Sequence, residues 1–504
     1  MTRLDRFSDW ALTRIWRSSP ATVAERTRRR VSVHLIPFLF FLYILAYLDR
    51  VNVSVAQFGM EKSPAEGGLG LDRATIGFGA GLFFWGYLIL EIPSSVSVVR
   101  RGARRVFTRV LVLWGICATL AGFIGTPVVG HLFAWLPELP ASGTGPFAAT
   151  AGFINGLHND PKNQFYFLRF MLGFFEGGFF PSVVVYLAHW FRAGDRARAM
   201  AGFSLAIPVS SLIGVPVSGL LLDVDWFGLP GWRWIFIVQG VVPVVAGVVT
   251  FFTLPDRPAQ ARWLRPDERD WLRAELAAEA KAKAGHGHWE WVGHLGMVLL
   301  LTCVYFGQNV ASYGLSMFMP AIIQAQSGLS ERWATRLAAV PYACGLVGML
   351  LNGWHSDRTG ERFGHAAASM GLLGLGILTA ALVGDVPVLP VAVMVLWVGT
   401  VMYAHMPAFW PIPTSVLGAT AAASAVGFIN MTGNLGGFVG PTVVGSASGG
   451  AAGFGPALLR IAPWPIASAA IVLSLGIWRR RKENRGGRAS GVVDCGSRSA
   501  EPRG

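Results

Sequence analysis

Four ionisable side chains stand inside otherwise apolar stretches: Asp49 and Arg50 in LYILAYLDRVNVSVA, and Arg169 and Glu176 in FYFLRFMLGFFEGGFFP. If these stretches cross a bilayer, a charge at mid-span costs about 2.5 to 3.5 kcal/mol and needs a partner or a wet cavity. Two acids and two arginines can neutralise one another as a purely structural clamp. The neighbouring residue types favour a working cavity instead. Tyr43, Tyr47, Arg50 and Ser54 follow i, i+4, i+7, i+11 and share one helical face, and Arg169, Gly173 and Glu176 follow i, i+4, i+7. Tyrosine hydroxyls beside an arginine fork suit an organic anion better than a dry core.

Other apolar stretches carry neutral polar groups that could complete such a cavity. Tyr87 and Glu91 are four residues apart, as are Asn430 and Asn434; Gln308, Asn309, Ser312 and Tyr313 share one stretch, and Tyr403, His405, Trp410 and Thr414 another. In a membrane these groups hydrogen-bond either a substrate's hydroxyls or a neighbouring helix. Glu91, toward one end of its stretch, reads as a gate or a packing contact. His405 is a membrane histidine whose ring titrates in a useful range.

The elements that must position these residues are membrane spans. Of 504 residues, 53% are hydrophobic and only 14% charged, which describes an integral membrane protein embedded in a lipid bilayer. A spanning helix needs about 20 mostly apolar residues. Twelve stretches qualify, at 32–58, 74–98, 106–128, 164–190, 197–223 and 233–254, then 292–322, 333–355, 365–384, 387–412, 421–445 and 456–478. Lys and Arg test the count. With both termini cytoplasmic, 33 of the 42 fall in cytoplasmic segments and 7 outside, the remaining two being Arg50 and Arg169. An odd number of spans would put a strongly basic tail outside, against the positive-inside rule. The expected location is the inner (plasma) membrane.

The chain divides into a basic amino-terminal segment at 1–31, a six-helix bundle at 32–254, a cytoplasmic loop at 255–291, a second bundle at 292–478 and a disordered basic tail at 479–504. Within the loop, PDERDWLRAELAAEAKAK opens with Pro266 and reads as a surface helix. The first seventeen residues place Leu4, Phe7, Ala11 and Ile15 on one face, which allows an in-plane helix.

The two halves repeat. GWHSDRTGER after the eighth stretch fits G-x-x-x-D-R-x-G-x-R through Gly353, Asp357, Arg358, Gly360 and Arg362. SVSVVRRGARR after the second fits it less well, with Ser95 for Gly and Val99 for Asp but with Arg100, Gly102 and Arg104 retained. This all-α membrane architecture, twelve helices in two pseudo-symmetric six-helix bundles with a shared turn, resembles the major facilitator fold over roughly residues 31 to 480. The resemblance implies two bundles rocking about a site near the bilayer midplane. Asp357, Arg358, Arg362, Arg100 and Arg104 are then gating residues, holding one state through contacts at the cytoplasmic face, although the first turn lacks its aspartate.

Four strings in order, YLDRVNVSVA, GAGLFFWGYLILEIPSS with RRGAR, RFMLGFFEGGFFPSVVVYLAHWF and INMTGNLGGFVGP, resemble the anion:cation symporter family within that superfamily. Members take up organic anions such as sugar acids, tartrate, phthalate and hydroxyphenylacetate with protons, and animal relatives include sialin and the vesicular glutamate transporters. The resemblance makes Asp49 and Glu176 the proton-coupling carboxylates and Arg50 and Arg169 the anion-binding cations, and puts Tyr87 at the substrate; Tyr47, Asn309, Trp410 and Asn434 are expected there as polar groups on stretches that should line the same cavity. Chemistry supports the first assignment separately. Attraction to arginine favours a charged carboxylate and burial a neutral one, so a balanced group can exchange its proton as the cavity opens and closes. Protonation would free the arginine for a substrate carboxylate. The coupling ion is the proton, no cofactor is expected, and the chain is expected to act as a monomer.

Competing classes find less support. A nucleic-acid binder needs its +14 net charge on one accessible face, whereas here the basic residues lie in short runs between apolar stretches. Gly202, Phe203 and Ser204 match the start of a serine-hydrolase motif, but that stretch offers no base. His286, His288 and His294 near Glu290 match no recurrent metal spacing. Cys117, Cys303 and Cys344 lie in apolar stretches and Cys495 in the tail, so no disulfide framework is implied. A channel, a non-transporting receptor, and an exchanger or facilitator without proton coupling remain as alternatives to a proton-coupled organic-anion transporter.

Overall fold

The computed structural model describes residues 22–140, 145–283, 290–383, 388–417, 419–449 and 453–491. The proposed in-plane helix in the first seventeen residues, His286, His288, Cys495 and the last part of the tail lie outside the described residues. Ten helical segments are long and apolar enough to cross a membrane: α1 (Val23–Met60), α2 (Arg73–Arg101), α4 (Pro161–Ala188), α5 (Gly202–Leu222), α6 (Gly231–Thr253), α7 (Val292–Ser327), α8 (Glu331–Thr359), α9 (Phe363–Leu382), α10 (Leu389–Leu417) and α12 (Gly455–Arg481). Two further segments fill the remaining positions. α3 (Ala103–Ala121) carries three arginines in its first turns, and α11 is broken into Ala419–Gly433 and Gly436–Ala447. The sequence order and packing are those of two six-helix bundles.

Several boundaries differ from those expected. α1 begins at Val23, nine residues early, because the basic run Arg26 to Arg30 is helical. The surface helix of the central loop, Pro266–Lys283, explains this. Its fully buried Glu268 accepts from Arg26 at 2.8 Å and lies 3.5 Å from Arg30, while Asp267 also pairs with Arg26. Farther along, Glu275 pairs with Arg192 and Glu279 with Arg196, both at 3.2 Å. The acids of the loop thus neutralise the basic ends of the first bundle. At the other end, the last helix continues past 478 to Gly491. The long connection at 129–163 includes the short helix Pro146–Gly156, tied back by hydrogen bonds in both directions between Asn155 and the main chain of Leu139.

α2 and α4 approach so closely that several positions admit only glycine. A Cβ on Gly173 would lie 1.9 Å from the Phe83 carbonyl oxygen, and one on Gly178 2.3 Å from Ser94 Cβ. Gly178 also has φ +85°, which breaks α4 just after Glu176 and lets the chain pass α2. α10 is irregular as well, with a π turn at Val393–Val398 and non-helical backbone at Tyr403 to His405. Such backbone is tolerated at membrane depth where it lines a cavity or is buried in protein.

The two bundles meet most fully on the face opposite the termini. There Lys62 pairs with Glu331 at 3.5 Å, Arg332 with Asp223 at 2.8 Å, and Arg73 donates to the Ser448 carbonyl at 3.3 Å. A Cβ on Gly77 would be 2.3 Å from the Pro441 carbonyl oxygen, so α2 and α11 touch backbone to backbone. Toward the termini the described polar contacts between bundles thin to one: Asn430 Nδ2 donates to Glu91 Oε1 at 2.9 Å.

Candidate transport site

Between the bundles, α1, α2, α4, α7 and α10 enclose a cavity lined by Tyr47, Arg50, Arg169, Asn309, Tyr313 and His405, among others. Its open space of about 30 Å³ holds a water or two and no organic acid, so a substrate requires the walls to part. α1 and α7 contribute equivalent faces. Tyr43, Tyr47, Arg50 and Ser54 correspond, 262 residues on, to Tyr305, Asn309, Ser312 and Ser316, all four of which line the cavity. The repeat therefore keeps the polar stripe and confines the charge to the first bundle.

The charges pair asymmetrically. Arg50 donates from Nε and Nη2 to the same oxygen, Glu176 Oε1, at 2.9 and 2.6 Å, and Glu176 Oε2 has no hydrogen-bond partner among the described residues. Nη1 of Arg50 reaches the Tyr313 hydroxyl at 3.4 Å, as does the Tyr47 hydroxyl. The guanidinium is caged by the rings of Tyr47, Tyr87 and Phe83, 4.8 to 5.2 Å from its carbon, an arrangement in which ring faces stabilise the cation. Arg169, also buried, forms no ion pair among the described residues. Its Nη1 donates to the main-chain carbonyl of Asp49 at 3.3 Å and its Nε is unpartnered.

Asp49 turns away from the cavity. Neighbours on a helix point about 100° apart, so with Arg50 facing the other bundle Asp49 faces α3. There the Trp114 indole N–H donates to Oδ2 and Asn52 Nδ2 donates to Oδ1 at 3.1 Å. The carboxyl is fully buried against two neutral donors. The sequence reading passed over both Trp114 and Asn52; a tryptophan in mid-span, whose N–H must find an acceptor, was the available signal. It passed over Tyr305 too.

The remaining candidates divide. Asn309 is on the cavity wall and donates to the Gly433 carbonyl at 3.1 Å and to Asn434 Oδ1 at 3.4 Å, so Asn434 stands behind it. Trp410 lies edge-on to Tyr305, 5.0 Å between ring centres, one layer back from the cavity. His405 lines the cavity, and neither ring nitrogen has a hydrogen-bond partner among the described residues.

At the termini face, Arg362 pairs with Asp357 at 2.6 Å and donates to Ser356 Oγ at 3.1 Å, while Arg358 lies over the Trp354 ring. In the first turn, Asp256 of the central loop takes the place of the missing aspartate, accepting from the Arg104 main-chain N–H at 2.8 Å; Arg104 Nε donates to the Leu254 carbonyl. A Cβ on Gly102, at φ +87°, would sit 2.7 Å from that carboxyl. Arg100 is exposed. Among the described residues none of these five side chains makes a hydrogen bond or ion pair to the opposite bundle; the polar contacts of each turn stay within its own half.

The family model for the Major Facilitator Superfamily matches residues 39–441. A protein of Agrobacterium vitis named "Putative tartrate transporter" is 35% identical over 92% of this chain and 96% of its own length. A "Quinolone resistance transporter" of Acinetobacter baumannii is 32% identical over 83% of this chain and 87% of its own. Among solved structures, a D-xylose-proton symporter superposes with a TM-score of 0.61, covering 88% of this chain and 96% of that one at 15% identity, which is a likeness of fold. Family match, relatives and fold agree: the chain belongs to the Major Facilitator Superfamily and is a multi-pass membrane transporter of a small molecule, not an enzyme.

Proposed function

We propose that this transporter moves a small organic anion together with protons by alternating access, and resembles the anion:cation symporters in doing so. The observation that carries the reading is the pair of buried guanidinium groups on the cavity wall, of which Arg169 has no carboxylate partner among the described residues and Arg50 holds one oxygen of Glu176. A substrate carboxylate offers both oxygens to such forks. Protonation of Glu176 would release Arg50 to the substrate. Asp49, whose charge is costly among neutral groups, would carry the second proton. The tartrate relative supports a carboxylate substrate, and a dicarboxylate can engage both arginines.

The test is uptake of labelled tartrate and related organic acids into proteoliposomes with the outside acidified. Accumulation above equilibrium that collapses with a protonophore supports the reading; equilibration insensitive to the pH gradient would make the protein a facilitator, and one-for-one exchange alone would make it an exchanger. We place both termini in the cytoplasm, and a reporter fused at residue 270 or at the carboxyl end should score inside.

A further inference from the structure

The termini face holds a second cavity, where the turn between α2 and α3 meets the end of α6. Arg101, Arg104, Arg105 and Arg262 line it with a single acid, Asp256. Asp256 and Arg104 are spent on structure, through the Arg104 main-chain N–H and the Leu254 carbonyl. Arg101, Arg105 and Arg262 make no hydrogen bond or ion pair among the described residues. Nearby on the same face, Arg26, Arg192 and Arg196 are by contrast each matched by an acid of the helix Pro266–Lys283. The other wall is apolar and belongs to a membrane span: Phe251 and Phe252 close α6 and are 43% and 76% exposed.

We propose that this cavity binds the headgroup of an anionic phospholipid. Three unpaired arginines match phosphate oxygens, and a basic cavity at the edge of a span faces the headgroup layer. The phenylalanines distinguish a lipid from a soluble anion, because only a lipid brings acyl chains to cover them. Neither Arg50 nor Arg169 takes part, so the inference stands apart from the substrate assignment.

Thermal unfolding and native mass spectrometry of the purified full chain in detergent test it, with phosphatidylglycerol, phosphatidylcholine and glycerol 3-phosphate as probes. Phosphatidylglycerol should raise the unfolding midpoint and remain bound, and the other two should not. In R101Q/R105Q/R262Q its affinity should fall by about tenfold or more, with the midpoint in phosphatidylcholine unchanged. Where the triple variant does not purify, R101Q and R262Q singly, at exposed side chains, should each weaken retention. Equal phosphatidylglycerol binding by these variants overturns the proposal. So does a glycerol 3-phosphate response as large as that of the lipid, which would mark a soluble-anion site.

Discussion

Arg169 donates to the main-chain carbonyl of Asp49, not to its carboxylate, although the two residues carry opposite charges and lie side by side in the first bundle. The arginine is therefore held in position with no ion pair among the described residues, which in the proposed mechanism leaves its charge to a substrate carboxylate. Arg169→Lys keeps the charge and loses the planar fork. It should raise the KM for the substrate by about tenfold, roughly 1.4 kcal/mol, with protein yield unchanged. Unaltered KM would remove Arg169 from the substrate site.

The Trp114 indole is the partner that α3 gives to Asp49. Trp114→Phe keeps the ring against Phe179 and deletes one N–H, at a stability cost of roughly 1 to 3 kcal/mol. If Asp49 carries a coupled proton, this variant should show reduced accumulation under a pH gradient and a displaced pH profile, while exchange of labelled for unlabelled substrate persists. An unchanged pH profile would assign Trp114 to packing alone.

Among the described residues, Glu91 and Asn430 form the last polar bridge between bundles on the side of the termini. Glu91→Ala should loosen that side and Glu91→Gln, which retains a hydrogen-bonding head, should not. Spin labels at the exposed positions 100 and 358 in a cysteine-free chain would report it: the distance distribution should shift outward in Glu91→Ala only. Identical distributions in wild type and Glu91→Ala would contradict a gating role.

Outside the membrane, Glu361 caps the start of α9, accepting from the main-chain N–H groups of Gly364 at 2.8 Å and His365 at 3.2 Å. Partial burial works to raise its carboxyl, but these amides and the His365 ring outweigh it and hold it below the ordinary glutamate range. A lowered folded-state value means that the stabilisation is complete above the unfolded-state value and is lost as pH falls through the folded one. Glu361→Gln should therefore lower the unfolding midpoint at neutral pH, and the gap from wild type should close below about pH 4. A gap that persists in acid would mean that hydrogen bonding without charge explains the cap.

The spans were legible because some twenty apolar residues in a row admit few other structures. Their ends were less so. The helix at Arg26 to Arg30 depends on Glu268, more than 230 residues away, and no local reading of polarity contains that partner. Ala103–Ala121 starts earlier than expected, carrying arginines 104, 105 and 109 in its first turns; long basic side chains can bury their stems and keep their heads wet. At the site, the four charges announced themselves by being costly in a membrane. Their pairing did not, since it depends on the rotation of α1 about its axis, which sends Arg50 to the cavity and Asp49 to Trp114. Asp256 standing in for a missing aspartate was equally invisible, because the substitution is made in space and not in the motif.

The central claim is that Asp49 and Glu176 carry the protons, and it is tested most directly by comparing gradient-driven accumulation with substrate exchange in the same proteoliposomes. Asp49→Asn and Glu176→Gln should each abolish accumulation under an inward proton gradient while retaining exchange of labelled against unlabelled substrate. Full accumulation by both variants would contradict the account and leave these residues as a structural clamp of the first bundle.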